Sequence, residues 1–258
     1  MTAPLLKASN LSVTVNGARP LDCANIDIAA GEVLGILGPN GSGKSTCLKV
    51  LAGVLSPASG TIQLCGRDWA AWQPLERARR IAYLPQQADI YWDFRVDDLL
   101  ALGASRGQRF AGWPFTTAST GATDVARLVQ EFELEALQRR RFDTLSGGEQ
   151  ARVLFASAAA ARPAILLADE PTASLDVCHQ LALMRRLREL ASDMALVLVL
   201  HDLNLAARFV DRVVLFRDGR TVLEGPTAAV LASPEVDRTF QVRFQRLPMG
   251  EQTLLMAE

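Results

Sequence analysis

Apolar and polar residues alternate with a period of two at the start of the chain. Three segments show this alternation, Leu5–Ala8, Leu11–Val15 and Ile26–Ile28, and Asn16-Gly17 is typical of a turn between strands. Strands with this pattern bury one face and leave the other polar. We therefore predict an N-terminal antiparallel β subdomain.

Further along, short apolar strands alternate with segments of helical periodicity. The predicted strands are 32–37, 61–64, 81–84, 164–168 and 195–200, and the predicted helices lie near 44–52, 74–80, 177–191 and 202–210. Two of the strands are almost continuously apolar, as parallel strands buried on both faces are. This alternation predicts an α/β fold with a mostly parallel central sheet. Asp218-Gly219 predicts a hairpin between Val213–Phe216 and Thr221–Leu223, and a short helical tail is expected after it.

The stretch from about 90 to 160 has no strand pattern. Helices are predicted near 96–103, 122–138 and 148–161, and the segment 106–121 is rich in Gly, Ser and Thr. We interpret the stretch as an inserted α-helical subdomain. Its Gly-rich segment is interpreted as a solvated loop, with a partner contact as the alternative.

Composition limits the class of protein. The chain has 258 residues, of which 49% are hydrophobic, and a formal net charge of −1. It can bury a full core, and it lacks the basic excess of a nucleic-acid-binding protein, so no nucleic-acid partner is expected. The longest aliphatic run, Ala195–Leu200, is far shorter than the roughly 20 residues of a membrane span. The start, Met1–Pro4, does not resemble a signal peptide.

The chain contains four widely spaced cysteines and two histidines. No C-x-x-C pair occurs, so a zinc site of Cys and His ligands is not expected. We expect the cysteines to be reduced and packed in the core of a cytosolic protein.

Residues 38–46 follow one predicted strand and begin a predicted helix. Their spacing, GxxxxGK[ST], is that of a phosphate-binding loop, in which glycines let the backbone approach an anion and the helix N-terminus adds N–H donors. Lys44 would reach the β- and γ-phosphates, and Ser45 would ligate Mg²⁺. The predicted ATP contacts are Gly38, Pro39, Asn40, Gly41, Ser42, Gly43, Lys44, Ser45 and Thr46. A glycine-rich turn that merely links strand and helix is the disfavoured alternative.

Two carboxylates, Asp169 and Glu170, end the apolar strand 165–168. In phosphate-loop ATPases an Asp at this place holds Mg²⁺, and a neighbouring Glu can act as the general base. Burying two ionised carboxylates at the end of a strand costs free energy unless a cation or ligand pairs with them. The alternative is a surface pair where the strand leaves the sheet.

A second glycine-rich element, Leu145-Ser146-Gly147-Gly148-Glu149-Gln150, precedes another predicted helix. Alone, it could be a helix cap at Ser146. Between the phosphate loop and the acidic strand, it resembles the signature motif of the ATP-binding cassette (ABC) ATPases. The resemblance covers nearly the whole chain and implies the ABC ATPase fold as a single domain, 1–258. Its RecA-like core with the β subdomain would span about 1–88 and 162–258, and its helical subdomain about 89–161.

Other family motifs are matched in order. Gln86 lies at the place of the Q-loop glutamine, Ser174-Leu175-Asp176 matches the D-loop, and His201 matches the switch histidine. Without the resemblance, Gln86 would be a polar residue ending a strand and His201 a structural histidine. The resemblance implies catalytic roles for Glu170, His201 and Gln86, Mg²⁺ ligation by Ser45, Gln86 and Asp169, and further ATP contacts by Gln86, Ser146, Gly147, Gly148, Asp176 and His201.

One position departs from the family pattern. Where the family usually has an aromatic residue that stacks on adenine, this chain has Val15, and no Tyr or Phe occurs in the first thirty residues. We therefore expect only apolar contact with adenine, weak ATP affinity and loose base selectivity.

In the family fold, the phosphate loop and the signature loop lie on separate subdomains. The resemblance therefore implies a two-fold homodimer in which each ATP lies between residues 38–46 of one copy and 146–148 of the other. ATP would close the dimer and hydrolysis would open it.

The order of Gly66–Trp69, Leu84–Gln86 and a short C-terminal tail looks like that of importer ATPases for iron-siderophores, haem and cobalamin. This implies integral-membrane permease subunits, a periplasmic or surface substrate-binding protein and a location at the cytoplasmic face of the inner membrane. Tyr91, Trp92 and Phe94 are hypothesised to line the groove for the permease, with packing inside the helical subdomain as the alternative.

Three other functions are alternatives to an importer ATPase. An exporter ATPase is the first alternative, and an ABC ATPase acting on DNA or ribosomes is disfavoured because the chain has neither a long heptad segment nor a basic excess. A nucleotide-binding module without hydrolysis is disfavoured because Glu170 and His201 are both present.

Overall fold

The computed structural model describes residues 3–86, 93–106, 121–173, 175–249 and 252–258. Its strands are β1 (Leu6–Val15), β2 (Ala18–Ile28), β3 (Val33–Leu37), β4 (Ser59–Leu64), β5 (Arg67–Asp68), β6 (Ile81–Leu84), β7 (Ile165–Asp169), β8 (Ala195–Val199), β9 (Arg212–Arg217), β10 (Arg220–Pro226), β11 (Phe244–Met249) and β12 (Gln252–Ala257). Its helices are α1 (Lys44–Leu51), α2 (Pro74–Arg80), α3 (Val96–Ala104), α4 (Gly121–Glu131), α5 (Gly147–Ala159), α6 (Val177–Leu190), α7 (Leu203–Phe209), α8 (Thr227–Ala232) and α9 (Pro234–Phe240).

The N-terminal sheet is antiparallel, as predicted, with the strand order β2-β1-β4-β5. The two alternating segments expected before Asn16 form one strand, β1. Asn10 has a positive φ of 53°, and the register with β2 shifts between Ala8 and Leu11. This bulge interrupts the alternation, which is why the sequence pattern suggested two strands.

The central sheet has the order β10-β9-β3-β8-β7-β6. Strands β9, β3, β8, β7 and β6 pair in parallel, and β10 joins the edge as the antiparallel half of the predicted hairpin. Every residue of β3, β7 and β8 is buried. The carboxyl ends of these parallel strands meet at one edge, where ligands bind in open α/β sheets.

Side chains of the central sheet divide between two cores. Leu34 and Ile36 of β3 face the core shared with the N-terminal sheet and α1, whereas Val33 and Leu37 face the core shared with the helices. The second core is continuous with the apolar faces of α3, α4 and α5. Helices α3, α4 and α5 therefore share a hydrophobic core with the central sheet.

Two further segments differ from the prediction. The helix expected over 122–138 ends at Glu131, because Glu133 takes a positive φ of 52° and the chain turns to bury Leu134 and Leu137. The short helical tail predicted after the β9-β10 hairpin is present as α8 and α9, but it is followed by a further, unpredicted antiparallel pair, β11-β12. Its strand β12 packs against α7 and α8.

The expectation that the cysteines pack in the core was wrong for three of the four. All are free thiols, but Cys23, Cys65 and Cys178 are exposed and Cys47 alone is buried. Burial raises the pKa of the Cys47 thiol to about 12, so it stays protonated and inert.

Within the described ranges, no helix combines the length and the apolar character needed to cross a bilayer.

Candidate nucleotide-binding site

The phosphate loop connects β3 to α1 and depends on glycine at two contact points. Gly38 and Gly43 have φ values of +151° and +99°, which disfavour other residues. A Cβ on Gly38 would come within 3.0 Å of the Phe216 carbonyl oxygen, and one on Gly43 would meet the Pro20 carbonyl oxygen as closely. The loop is therefore fixed between β9 and β2.

Lys44 begins α1 and is buried at the mouth of this loop. Its Nζ donates hydrogen bonds to the carbonyl oxygens of Gly38 and Pro39, both at 2.8 Å. Burial lowers the pKa of the ammonium, and the nearby carboxylates of Glu170 and Asp169 oppose that shift. A buried cation held by backbone carbonyls in an anion-binding loop suits a phosphate group.

Ser45 and Asp169 bring two oxygen donors together beside the loop. The Ser45 hydroxyl donates to Oδ1 of Asp169 at 2.9 Å. Burial raises the pKa of the Asp169 carboxyl, although the Ser45 hydrogen bond acts in the opposite direction. Among the residues the structure describes, no cluster of three or more His, Cys, Asp or Glu could hold a metal. A pair of hard oxygen donors fits Mg²⁺, which usually takes one or two protein oxygens and fills its shell with phosphate oxygens and water.

Glu170 is the meeting point of the predicted catalytic side chains. The Gln86 Nε2 atom donates to Oε2 of Glu170 at 2.6 Å, and the His201 Nε2 atom contacts Oε1. These residues follow β6, β7 and β8, so the parallel sheet brings them together from distant parts of the sequence. Glu170 has a positive φ of 50°, a conformation that costs free energy in a residue other than glycine and is often found at functional sites.

These groups line a cavity of about 590 Å³. Its lining residues are Pro20, Asn40, Gly41, Gly43, Lys44, Ser45, Thr46, Gln86, Glu170 and His201. The sequence predicts all of them except Pro20 as ATP-binding or catalytic residues. Pro20 comes from β2 and reaches the loop through its backbone, which no local sequence signal could reveal.

The signature residues lie elsewhere and are not part of this lining. Ser146 precedes α5 and forms a capping box: its Oγ accepts from the Glu149 N–H at 3.4 Å, and Glu149 Oε2 accepts from the Ser146 N–H at 2.7 Å. Ser146 therefore does cap α5, as the helix-cap interpretation of this motif predicts. Ser146 and Gly147 are nevertheless exposed at the protein surface.

Asp176 is likewise absent from the lining and caps α6 by accepting from the His179 N–H at 2.9 Å. Its D-loop neighbour Ser174 lies outside the described residues, as do Tyr91 and Trp92. Phe94, the third aromatic residue assigned to the permease groove, is partly buried against the helical core. This favours the packing interpretation for Phe94.

Known proteins of one family resemble this chain in sequence. The sequence profile of the ABC transporter family matches residues 21–173. The hemin import ATP-binding protein HmuV of Nocardia farcinica is 40% identical over 243 residues, which cover 92% of this chain and 82% of that protein.

Two solved structures resemble the fold over most of the chain. A putative metal-chelate type ABC transporter in an inward-facing conformation gives a TM-score of 0.83 at 25% identity, covering 99% of this chain and 97% of that one. A dimeric ATP-binding cassette in a post-hydrolysis state, bound to ADP and Pi, gives a TM-score of 0.74 at 27% identity, covering 86% and 98%.

The family profile spans more than half of the chain, and the hemin-import relative aligns with most of it. The phosphate loop, the acidic end of β7 and the first turn of α5 all fall within the matched residues 21–173. The chain therefore belongs to the ABC transporter family, as an ATP-binding and ATP-hydrolysing subunit.

Proposed function

We propose that this chain is the energy-coupling ATPase of an importer and that its catalytic centre is the group around Glu170. The observation that carries the catalytic assignment is that the side chains of Gln86, Glu170, His201 and Lys44 all line one cavity. A carboxylate held by two side chains, next to a cation suited to phosphate, is the arrangement that attack of water on a γ-phosphate requires.

Each side chain then has a separate task. Glu170 accepts the proton of the attacking water, and Gln86 and His201 fix the orientation of its carboxylate. Lys44 and the N–H groups of the phosphate loop hold the phosphates. Ser45 and Asp169 would hold Mg²⁺, with the amide of Gln86 as a further ligand, and the bound ion would neutralise phosphate charge.

The complete site requires two copies of the chain. Ser146, Gly147, Gly148 and Asp176 do not line the cavity that contains Lys44. In a two-fold dimer, these residues of each copy would cover the phosphate loop of the other. The likeness to a dimeric cassette bound to ADP and Pi supports this arrangement.

The cargo we propose is a metal chelate of the iron-siderophore, haem or cobalamin type. Support comes from the relative named for hemin import and from the structural likeness to a putative metal-chelate type transporter. The chain would act at the cytoplasmic face of the inner membrane, bound to separate permease subunits that work with a substrate-binding protein.

The catalytic assignment is tested by replacing the general base. We expect Glu170→Gln to lower the rate of ATP hydrolysis about 10²- to 10⁴-fold, because an amide cannot accept the proton. Glu135→Gln, a change of the same kind at an exposed position, should retain the parental rate. Parental hydrolysis by the Glu170 variant would refute the assignment.

The direction and cargo are tested in the source organism. Deletion of the gene should abolish uptake of one of the three chelates, and the parental gene, but not Glu170→Gln, should restore it. Normal uptake of all three, together with accumulation of a compound inside the cells, would favour the exporter.

A further inference from the structure

His179 contacts two of the motifs expected to serve the second copy of the chain, although it belongs to neither. It lies in the first turn of α6, and its Nδ1 atom is 2.9 and 2.8 Å from the two carboxylate oxygens of Asp176. The Asp176 carboxylate accepts hydrogen bonds, so Nδ1 carries the proton and the ring orientation is fixed. The Asp176 side chain is therefore held by both the backbone and the ring of His179.

The same ring covers Gly148 of the signature motif. A Cβ added to Gly148 would lie 2.8 Å from Cδ2 of His179, 3.0 Å from Cγ and 3.2 Å from Nε2. The imidazole therefore lies directly against the Cα of Gly148. An alanine at this position fits only if the ring moves away, and that movement would release Asp176.

The neighbouring residue extends the contact to the catalytic segment. Gln180 donates through Nε2 to the carbonyl oxygen of Thr172 at 3.0 Å, and Thr172 lies two residues after Glu170. The first turn of α6 thus touches the signature loop, the D-loop and the segment that follows the general base.

We propose that His179 is a positioning residue that holds Asp176 and Gly148 at a fixed spacing, so that both are presented as one surface to the ATP of the second copy. The inference rests on the proposed function, in which these residues complete the partner's site. Groups ordered before association need not lose their freedom during it, so pre-positioning strengthens ATP-dependent closure.

The His179 ring makes two contacts, a hydrogen bond to Asp176 and packing against Gly148, and two substitutions each remove one of them. His179→Asn keeps an N–H donor near the position of Nδ1 but removes the ring from Gly148, whereas His179→Phe keeps a ring and removes the donor. We expect each variant to raise the apparent KM for ATP about fivefold, the effect of one net hydrogen bond or contact, and His179→Ala to raise it further. The kcat at saturating ATP should change less than twofold. Arg185→Ala, an exposed change on the same helix, is the matched control and should behave as the parent.

A double-mutant cycle tests the contact with Gly148. We expect Gly148→Ala to raise the KM much more in the parent than in the His179→Ala background, where the methyl group has room. Unfolding midpoints measured without ATP should show the same non-additivity, even if Gly148→Ala abolishes hydrolysis in both backgrounds.

Equal penalties in the two backgrounds, or parental KM values in all three His179 variants, would overturn the inference while leaving the proposed function intact. A parent protein that hydrolyses no ATP would overturn both. A fall in kcat with an unchanged KM would also contradict the positioning role, because His179 would then affect chemistry rather than closure.

Discussion

Substitution of Gly43 by alanine would test how the phosphate loop is built. Gly43 has a φ of +99°, and a Cβ there would come within 3.0 Å of the Pro20 carbonyl oxygen and 3.3 Å from the Cα of Gly219. The backbone conformation costs about 1–2 kcal/mol for an L-residue. Forcing an extra carbon into a packed site costs about 1–3 kcal/mol more. We therefore expect Gly43→Ala to lower the free energy of unfolding by about 2–5 kcal/mol in total.

Gly41→Ala is the matched control in the same loop. Gly41 also has a positive φ, +76°, but no atom lies within 4 Å of its added Cβ. Its cost should therefore be limited to the backbone term of about 1–2 kcal/mol. Urea titrations followed by far-UV circular dichroism, without nucleotide, would compare the two. Equal destabilisation would refute the reasoning, because it would show that contact with β2 does not constrain the loop.

Three further predictions concern the ligand. Lys44→Ala should weaken ATP binding more than tenfold in calorimetry, since a charge-assisted contact to phosphate contributes roughly 1.5–3 kcal/mol, and parental affinity would contradict its assigned role. Asp169→Asn should abolish Mg²⁺-dependent hydrolysis yet raise the urea midpoint at pH 7. Burial raises the pKa of this carboxyl in the folded state, so its ionised form destabilises the fold, and the gain should shrink as the pH falls through that raised pKa. A lower midpoint for Asp169→Asn at pH 7 would contradict this sign. Val15→Tyr, which adds an aromatic at an exposed position, should tighten ATP binding at least about fivefold if stacking contributes roughly 1–3 kcal/mol. A parent that already binds ATP tightly and rejects GTP strongly would count against the weak adenine contact.

Much of the candidate site could be predicted because its residues follow recognisable strands. Gln86, Glu170 and His201 each come after an apolar run, and parallel strands bring their carboxyl ends to one edge. The glycine spacing of the phosphate loop is itself the signal of the conformation that it adopts. The positions of Gln86, Glu170 and His201 can therefore be predicted from the order and the parallel direction of the strands that precede them.

The remaining features depend on tertiary contacts that leave no local pattern. Pro20 reaches the cavity because its backbone carbonyl lies against Gly43 of the phosphate loop. His179 contacts Gly148 because the N-terminal ends of α5 and α6 lie side by side. Likewise, Glu133 turns the chain by adopting a positive φ where helical periodicity suggested continuation. In each case packing against a distant segment outweighs the local propensity.

The most direct test of the central claim is the mass of Glu170→Gln in solution. Size-exclusion chromatography with light scattering, with and without ATP and Mg²⁺, would show whether ATP joins two copies. We predict a monomer without ATP and a dimer with it, and the same variant carrying Lys44→Ala should remain a monomer. A monomer under both conditions, in a variant shown by calorimetry to bind ATP, would contradict the shared site.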